Sequence, residues 1–289
     1  MDGFFLNTDY AQFEKEKPFA FSLHSSIGCG GYAPVAFYPK TVEEFTLLIT
    51  RLQQDKIPFS VVGNMTNILP PDGQLQKVIV CTKRFAYIKD MFFSAGITAN
   101  GLLQTCKQMR KSGAEFLVGI PCTLGGALYM NAGVNGVYIA EIVDTVTAWY
   151  NGKISVLTNE ECRYAYKHSV FMQDEFIILG ATLKLADSDE TTIESELAKY
   201  RARRLHLPKG KSMGCVFKNP EGISAGKLIE DAGLKGLQIG GAKISEQHAN
   251  FIINENNATS AQIRTLIGIV KRAVFAQYNI RLREEIQYL

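Results

Sequence analysis

Apolar residues recur along the chain with two different periods, and the switch between them sets the expected elements. Over residues 41–53, Val42, Phe45, Leu48, Ile49 and Leu52 share one face of a 3.6-residue period behind a threonine cap and two acids, which predicts a helix. A strand ending in Ser60, Val61 and Val62 follows, then strands at 77–81 and 92–96 and a helix near 100–111. Strand, helix, strand is the order of an α/β unit. Between 141 and 185 the elements become short strands: 143–150 and 154–157 flank the hairpin signal Asn151 and Gly152, and FIILGATLKL closes the series. The charged stretch 187–204 reads as a solvated helix, acidic early and basic late as the helix dipole favours, and the domain boundary is expected at its start. Beyond it the pattern predicts a glycine-ended helix at 224–232, a strand at 249–254, a long helix at 260–278 and a closing strand at 280–289.

Composition narrows the class of partner. A chain of 289 residues can hold two full cores, and a formal charge of +3 with no basic patch argues against nucleic acid and for a small-molecule partner. Six cysteines, Cys29, Cys81, Cys106, Cys122, Cys162 and Cys215, are scattered without a CxxC, which predicts reduced thiols and no metal site. The first residues lack the basic start and continuous apolar run of a signal peptide, and no apolar run reaches bilayer length. A cytoplasmic protein with no membrane partner is expected.

Three stretches carry candidate chemistry. GNMTN, comprising Gly63, Asn64, Met65, Thr66 and Asn67, offers backbone donors and short polar side chains suited to a phosphate, although by itself its composition favours a polar surface turn. It is neither a P-loop nor a GxGxxG fingerprint. GIPCTLGGALYMNAGVNG, at 119–136, holds five glycines, a density that permits close approach of backbone to a cofactor. SMGCVFKNP, at 212–220, places a thiol, an amine and a carboxamide around a turn, although a free cysteine is also an ordinary small core residue. His168, in YAYKHSVF, reads as a surface or hydrogen-bonded histidine.

Taken in order, GNMTN, GIPCTLGGALYMNAGVNG, YAYKHSVF, RARRLHLP, GCVFKNP, AGKLIEDAGLKG, IGGAKISEQHANFIIN and LREEI resemble the UDP-N-acetylenolpyruvoylglucosamine reductases from Ser25 to the C-terminus. That resemblance implies an α+β architecture. Residues 1–186 would form a two-part FAD-binding domain of the vanillyl-alcohol-oxidase (PCMH) type. Residues 187–289 would form a smaller α+β substrate domain whose C-terminal strand returns to the active site. No inserted lid segment is seen, as in the shorter branch of the family. The cofactor would lie against Gly63, Asn64, Met65, Thr66 and Asn67, then Gly119, Ile120, Pro121, Thr123, Gly125 and Gly126, and Asn131, Ala132 and Gly133. NADPH would reduce FAD, and the flavin would pass hydride to the enolpyruvyl ether of UDP-GlcNAc in a step of peptidoglycan synthesis. The family expectation is a monomer.

Catalytic roles follow from the same resemblance, with departures. The family's proton-donating serine in GSxFKNP is Cys215 here. A thiol is a stronger acid than a hydroxyl and still carries its proton at neutral pH. The acid assisting the enol intermediate matches Glu285, with Glu284 one residue away, and strand alternation allows only one of them to reach the flavin. An arginine beside the substrate carboxylate is Lys167, which keeps the charge and loses the bidentate fork. Tyr166, Lys218 and Asn219 would contact the substrate. The usual glutamine before the proline of RRxxQP is Leu207, and the usual GGxSN is GNMTN. These departures leave a second reading, an FAD-binding paralogue with another substrate or a binding role.

Overall fold

The structure, a computed structural model, describes residues 10–173 and 175–289. The chain divides into two compact units. The first takes the chain up to Glu16 together with Val35–Asn64 and Lys77–Leu205, and the second takes Lys17–Pro34, Met65–Gln76 and His206–Leu289. The division falls after Leu205 and not after Ala186. The Glu190–Ala202 helix, expected as a solvated start to the second domain, buries Ile193 and Leu197 in the first core.

The first unit is built on two larger sheets. One runs in the order Lys15–Glu16, Ala36–Phe37, Val78–Cys81, Phe59–Val62, with the last three strands parallel. Its central strand, Val78–Cys81, is buried at every position, as a parallel strand covered on both faces must be. The Val42–Gln54 helix lies on the expected face: Thr41 caps it by accepting from the Glu44 amide, and Phe45, Leu48, Ile49 and Leu52 are buried. The second sheet is antiparallel, in the order Lys153–Thr158, Val143–Tyr150, Ile177–Leu183, Phe92–Ser94, Ile88–Lys89. Its hairpin turns at Asn151 and Gly152, both with positive φ, as the dipeptide predicted. The helix expected near 100–111 is Ala99–Gln108, capped by Thr98. Inside the glycine-rich stretch sits a helix the periodicity did not predict, Leu124–Met130, which buries Leu124, Ala127, Leu128 and Met130.

The second unit is built on an antiparallel sheet in the order Ser212–Cys215, Phe251–Asn254, Ala242–Ile244, Gln238–Ile239. The Ala225–Asp231 helix and the Ser260–Tyr278 helix supply the rest of the core. The long helix begins where the sequence predicts, in a capping box of Thr259 and Gln262. The Asp72 carboxylate also accepts from the Ser260 and Ala261 amides, placing negative charge at the positive end of the helix. The closing strand expected at 280–289 is shorter. Gln287–Tyr288 pairs in parallel with Ile68–Leu69, and residue 284 makes an isolated bridge to residue 217.

Candidate functional site

In the second unit, the Ser212–Cys215 strand is distorted just where the thiol sits. Its register against Phe251–Asn254 shifts between Ser212 and Cys215, and Gly214 takes φ +75°, a conformation open to glycine at little cost. Cys215 is half-buried at the end of this bulge. The chain then pairs with the C-terminal segment: the Lys218 amide donates to the Arg283 carbonyl at 2.9 Å, and the Glu285 amide donates to the Val216 carbonyl at 2.8 Å. Cys215 and Glu285 are thereby placed on adjoining segments of one unit.

The two adjacent glutamates have different environments. Glu284 accepts from Lys271 Nζ at 2.7 Å and from the Tyr288 hydroxyl. Burial acts to raise its carboxyl, but those two partners outweigh it and hold the group below the usual carboxylate range. Glu285 follows it on the opposite side of an extended segment. Its backbone is fixed twice, because the carbonyl of Glu285 also accepts from Asn67 Nδ2 at 3.0 Å. Asn67, expected at the cofactor, therefore also braces the C-terminal segment, and its own carbonyl accepts from the Gln287 amide at 2.8 Å.

Other expected substrate contacts have structural duties as well. Asn219 Oδ1 accepts from the Ala225 amide at 3.0 Å, tying the KNP turn to the Ala225–Asp231 helix. Ser26, which the sequence did not single out, donates to the Ser212 carbonyl at 2.6 Å and to the Met65 carbonyl at 3.4 Å. Nothing in the pattern around Ser26 marks it, because its partners are remote in sequence.

In the first unit, Tyr166 and Lys167 form the tip of a tight turn closed by two 3.1 Å hydrogen bonds between Ala165 and His168. Lys167 has φ +51°, uncommon for a side chain with a Cβ. The turn is clamped from below by Asn131, buried at the left-handed end of the Leu124–Met130 helix. Asn131 Nδ2 donates to the Ala165 carbonyl at 2.9 Å while its Oδ1 accepts from the Ala140 amide at 3.2 Å. Ser169 Oγ adds a 2.6 Å bond to the Tyr129 carbonyl. His168 forms no catalytic arrangement: its Nε2 lies 3.1 Å from Gln173 Nε2 at the surface.

The glycine-rich stretches divide into close packing and open backbone. A Cβ on Gly63 would lie 2.2 Å from Thr123 Oγ1, so only glycine lets the end of the Phe59–Val62 strand approach that residue. Asn64 Nδ2 donates to the Pro121 carbonyl at 2.9 Å, fixing the first turn against the second. The amides of Leu124 and Gly125 are spent on the carbonyls of Ile97 and Ala95, and Gly126 donates to Thr123 Oγ1 at 3.4 Å. Ala132 donates to the Ala127 carbonyl, and Gly133 pairs with Tyr138 in a small hairpin. Gly119, Pro121 and Gly126 stay exposed, with Ile120 half-buried among them. In contrast, the Met65 and Thr66 amides meet no acceptor among the described residues, and Met65 has φ +52°. Two unspent donors in a turn of this shape fit the pyrophosphate of a dinucleotide. Among the described residues no group of three or more His, Cys, Asp or Glu side chains could hold a metal ion.

Comparison with known proteins accords with this geometry. Residues 33–152 match a family described as an FAD binding domain, and residues 206–289 match the C-terminal domain of UDP-N-acetylenolpyruvoylglucosamine reductase. A relative of that name from Caldanaerobacter subterraneus is 36% identical over 274 residues, covering 91% of this chain and 90% of its own. The crystal structure of the reductase from Thermus caldophilus superimposes with TM-score 0.83 at 30% identity, covering 96% of this chain and 98% of that one. A solvent-stable cholesterol oxidase shares the fold over 63% of this chain and 39% of its own, with TM-score 0.50 at 17% identity. The expected architecture, an FAD-binding domain of the PCMH type followed by a smaller α+β domain, is the one present. This chain belongs to the UDP-N-acetylenolpyruvoylglucosamine reductase family.

Proposed function

We propose that the protein reduces the enolpyruvyl ether of UDP-GlcNAc to UDP-N-acetylmuramate at the expense of NADPH, using FAD, with Cys215 as proton donor. The observation that carries this reading is the pairing of residues 216–218 with 283–285, which brings the half-buried Cys215 and Glu285 onto adjoining segments of the second unit, while the neighbouring Glu284 is committed to Lys271 and Tyr288. Residues 63–67, with the unspent Met65 and Thr66 amides, and the exposed parts of 119–133 would hold the cofactor. Bound FAD would supply the hydride-transfer chemistry between NADPH and the vinyl carbon of the substrate.

The chain's own groups manage charge and protons. As negative charge develops on the substrate carboxylate, the Lys167 ammonium at its turn tip offsets it, the kind of preorganised electrostatics that lowers such a barrier. Cys215 Sγ–H gives its proton to C2, and the remaining thiolate recovers a proton from solvent. Glu285 stands beside that exchange, and Glu284, committed to Lys271 and Tyr288, is excluded from it. Lys218, Tyr166 and Asn219 supply further substrate contacts, and Asn219 Oδ1 also braces the turn by accepting from the Ala225 amide. A cytoplasmic monomer with no nucleic-acid or membrane partner completes the proposal. All six cysteines are free, and no described helix is long and apolar enough to cross a membrane.

Stopped-flow absorbance separates the two half-reactions. Cys215→Ala is expected to leave reduction by NADPH intact and to slow reoxidation by the enolpyruvyl sugar by about 10²-fold or more, with Cys215→Ser retaining activity. Reoxidation at the wild-type rate in the alanine variant would remove Cys215 from the mechanism. Wild-type enzyme that is bleached by NADPH yet ignores the sugar would favour the paralogue reading.

A further inference from the structure

The peptide joining Cys215 to the KNP turn is held by a side chain for which the sequence suggested no role. Where residues 216–218 pair with 283–285, Phe217 faces Glu284 in a bridge whose hydrogen bonds are made by the neighbours, Lys218 to Arg283 and Glu285 to Val216. The N–H and C=O of Phe217 therefore point the other way, into the protein, and Phe217 itself is 2% exposed. Asn250, 3% exposed, takes both: its Oδ1 accepts from the Phe217 amide at 2.9 Å and its Nδ2 donates to the Phe217 carbonyl at 2.8 Å. Its own carbonyl accepts from the Val216 amide at 2.8 Å. A carboxamide carries the same donor and acceptor as a peptide group, so Asn250 continues the sheet at the point where the regular strand has ended.

We propose that Asn250 is a positioning residue for proton delivery, its carboxamide standing in for a strand neighbour so that the Phe217 peptide keeps Cys215 and Lys218 in register with Glu285. The proposal rests on the reductase reading above. Neither aspartate nor alanine can replace the pair of bonds: aspartate keeps an acceptor for the Phe217 amide and loses the donor, and alanine loses both. A buried peptide group left without a partner lets the strand shift, and a misplacement of about 1 Å can slow a reaction by roughly 10²-fold.

The test uses the FAD-loaded enzyme with Asn250→Ala and Asn250→Asp. In stopped flow, reduction by NADPH should stay at the wild-type rate while reoxidation by the enolpyruvyl sugar slows by about 10- to 100-fold in the alanine variant, with aspartate between. A second readout needs no substrate. The rate at which Cys215 reacts with 5,5′-dithiobis(2-nitrobenzoate) in the oxidised enzyme should change in the same order, since the peptide next to it has lost its anchor. Equal slowing of both half-reactions, or unchanged reoxidation with unchanged thiol reactivity, overturns the proposal. Should the alanine variant fail to fold, the aspartate variant decides by the same two measurements. Should wild-type enzyme ignore the sugar, the reductase reading fails, and the thiol measurement still decides the role of Asn250.

Discussion

Burial raises the thiol pKa to about 12 at Cys106 and Cys122 and to about 11 at Cys162, and it raises Cys29 and Cys81 as well. These five lie in the cores, whereas Cys215 is half-buried. Native enzyme should therefore release one equivalent of thionitrobenzoate quickly and the other five only on unfolding, and loss of the fast phase in Cys215→Ala would assign it. Glu284 shows the complementary case of a group held charged. Its folded pKa is lowered, so its contribution is present above the unfolded carboxyl value and is lost as pH falls through the folded one. Glu284→Gln should lower the melting temperature at pH 7, equivalent to roughly 1 kcal/mol or less, and the gap to wild type should close in acid. A gap that persisted below pH 3 would show that the effect is not electrostatic.

Among the elements, the turn at 63–67 couples what the sequence treats as separate motifs. Asn67 holds the Glu285 carbonyl with its side chain and the Gln287 amide with its main chain. Asn67→Ala should cost about 1 kcal/mol in urea denaturation and slow reoxidation more than reduction, and equal effects on the two half-reactions would argue against this bracing. Regular elements were legible because burial writes its period into the chain: Val42–Gln54 and Ser260–Tyr278 fall where their apolar faces predict. The Leu124–Met130 helix was not, since its two glycines and seven residues give too short a period to read. Of the candidate site, the motifs were legible and their division of labour was not. Asn131, read as a cofactor contact, spends its side chain on the turn carrying Lys167, and the amides of Leu124 and Gly125 close the strand–helix junction.

For the whole molecule, the second core is not made from the C-terminal residues alone. It takes Ile27, Cys29 and Leu69 from two earlier segments, and Asn254 Nδ2 donates to the carbonyls of Ile27 and Gly28. The Ser260–Tyr278 helix likewise depends on Asp72 at its start. A fragment spanning 206–289 should consequently lack fixed tertiary packing, with weak near-ultraviolet circular dichroism and poorly dispersed amide resonances. A cooperative unfolding transition and a dispersed spectrum from that fragment would contradict this dependence.

The amino-acid sequence by itself determined the helices and strands with long apolar faces, the order of motifs that places the chain in its family, and the candidate residues at each motif. Periodicity reports which face of an element is buried, and it does so locally. Only the tertiary structure decided that Glu284 is committed to an ion pair with Lys271, which backbone donors are spent, and that residues 17–34 and 65–76 join the second unit. Those decisions are made by hydrogen bonds such as Asn67 to Glu285, 218 residues apart, and Asn254 to Ile27, 227 residues apart. A local pattern carries no record of such partners.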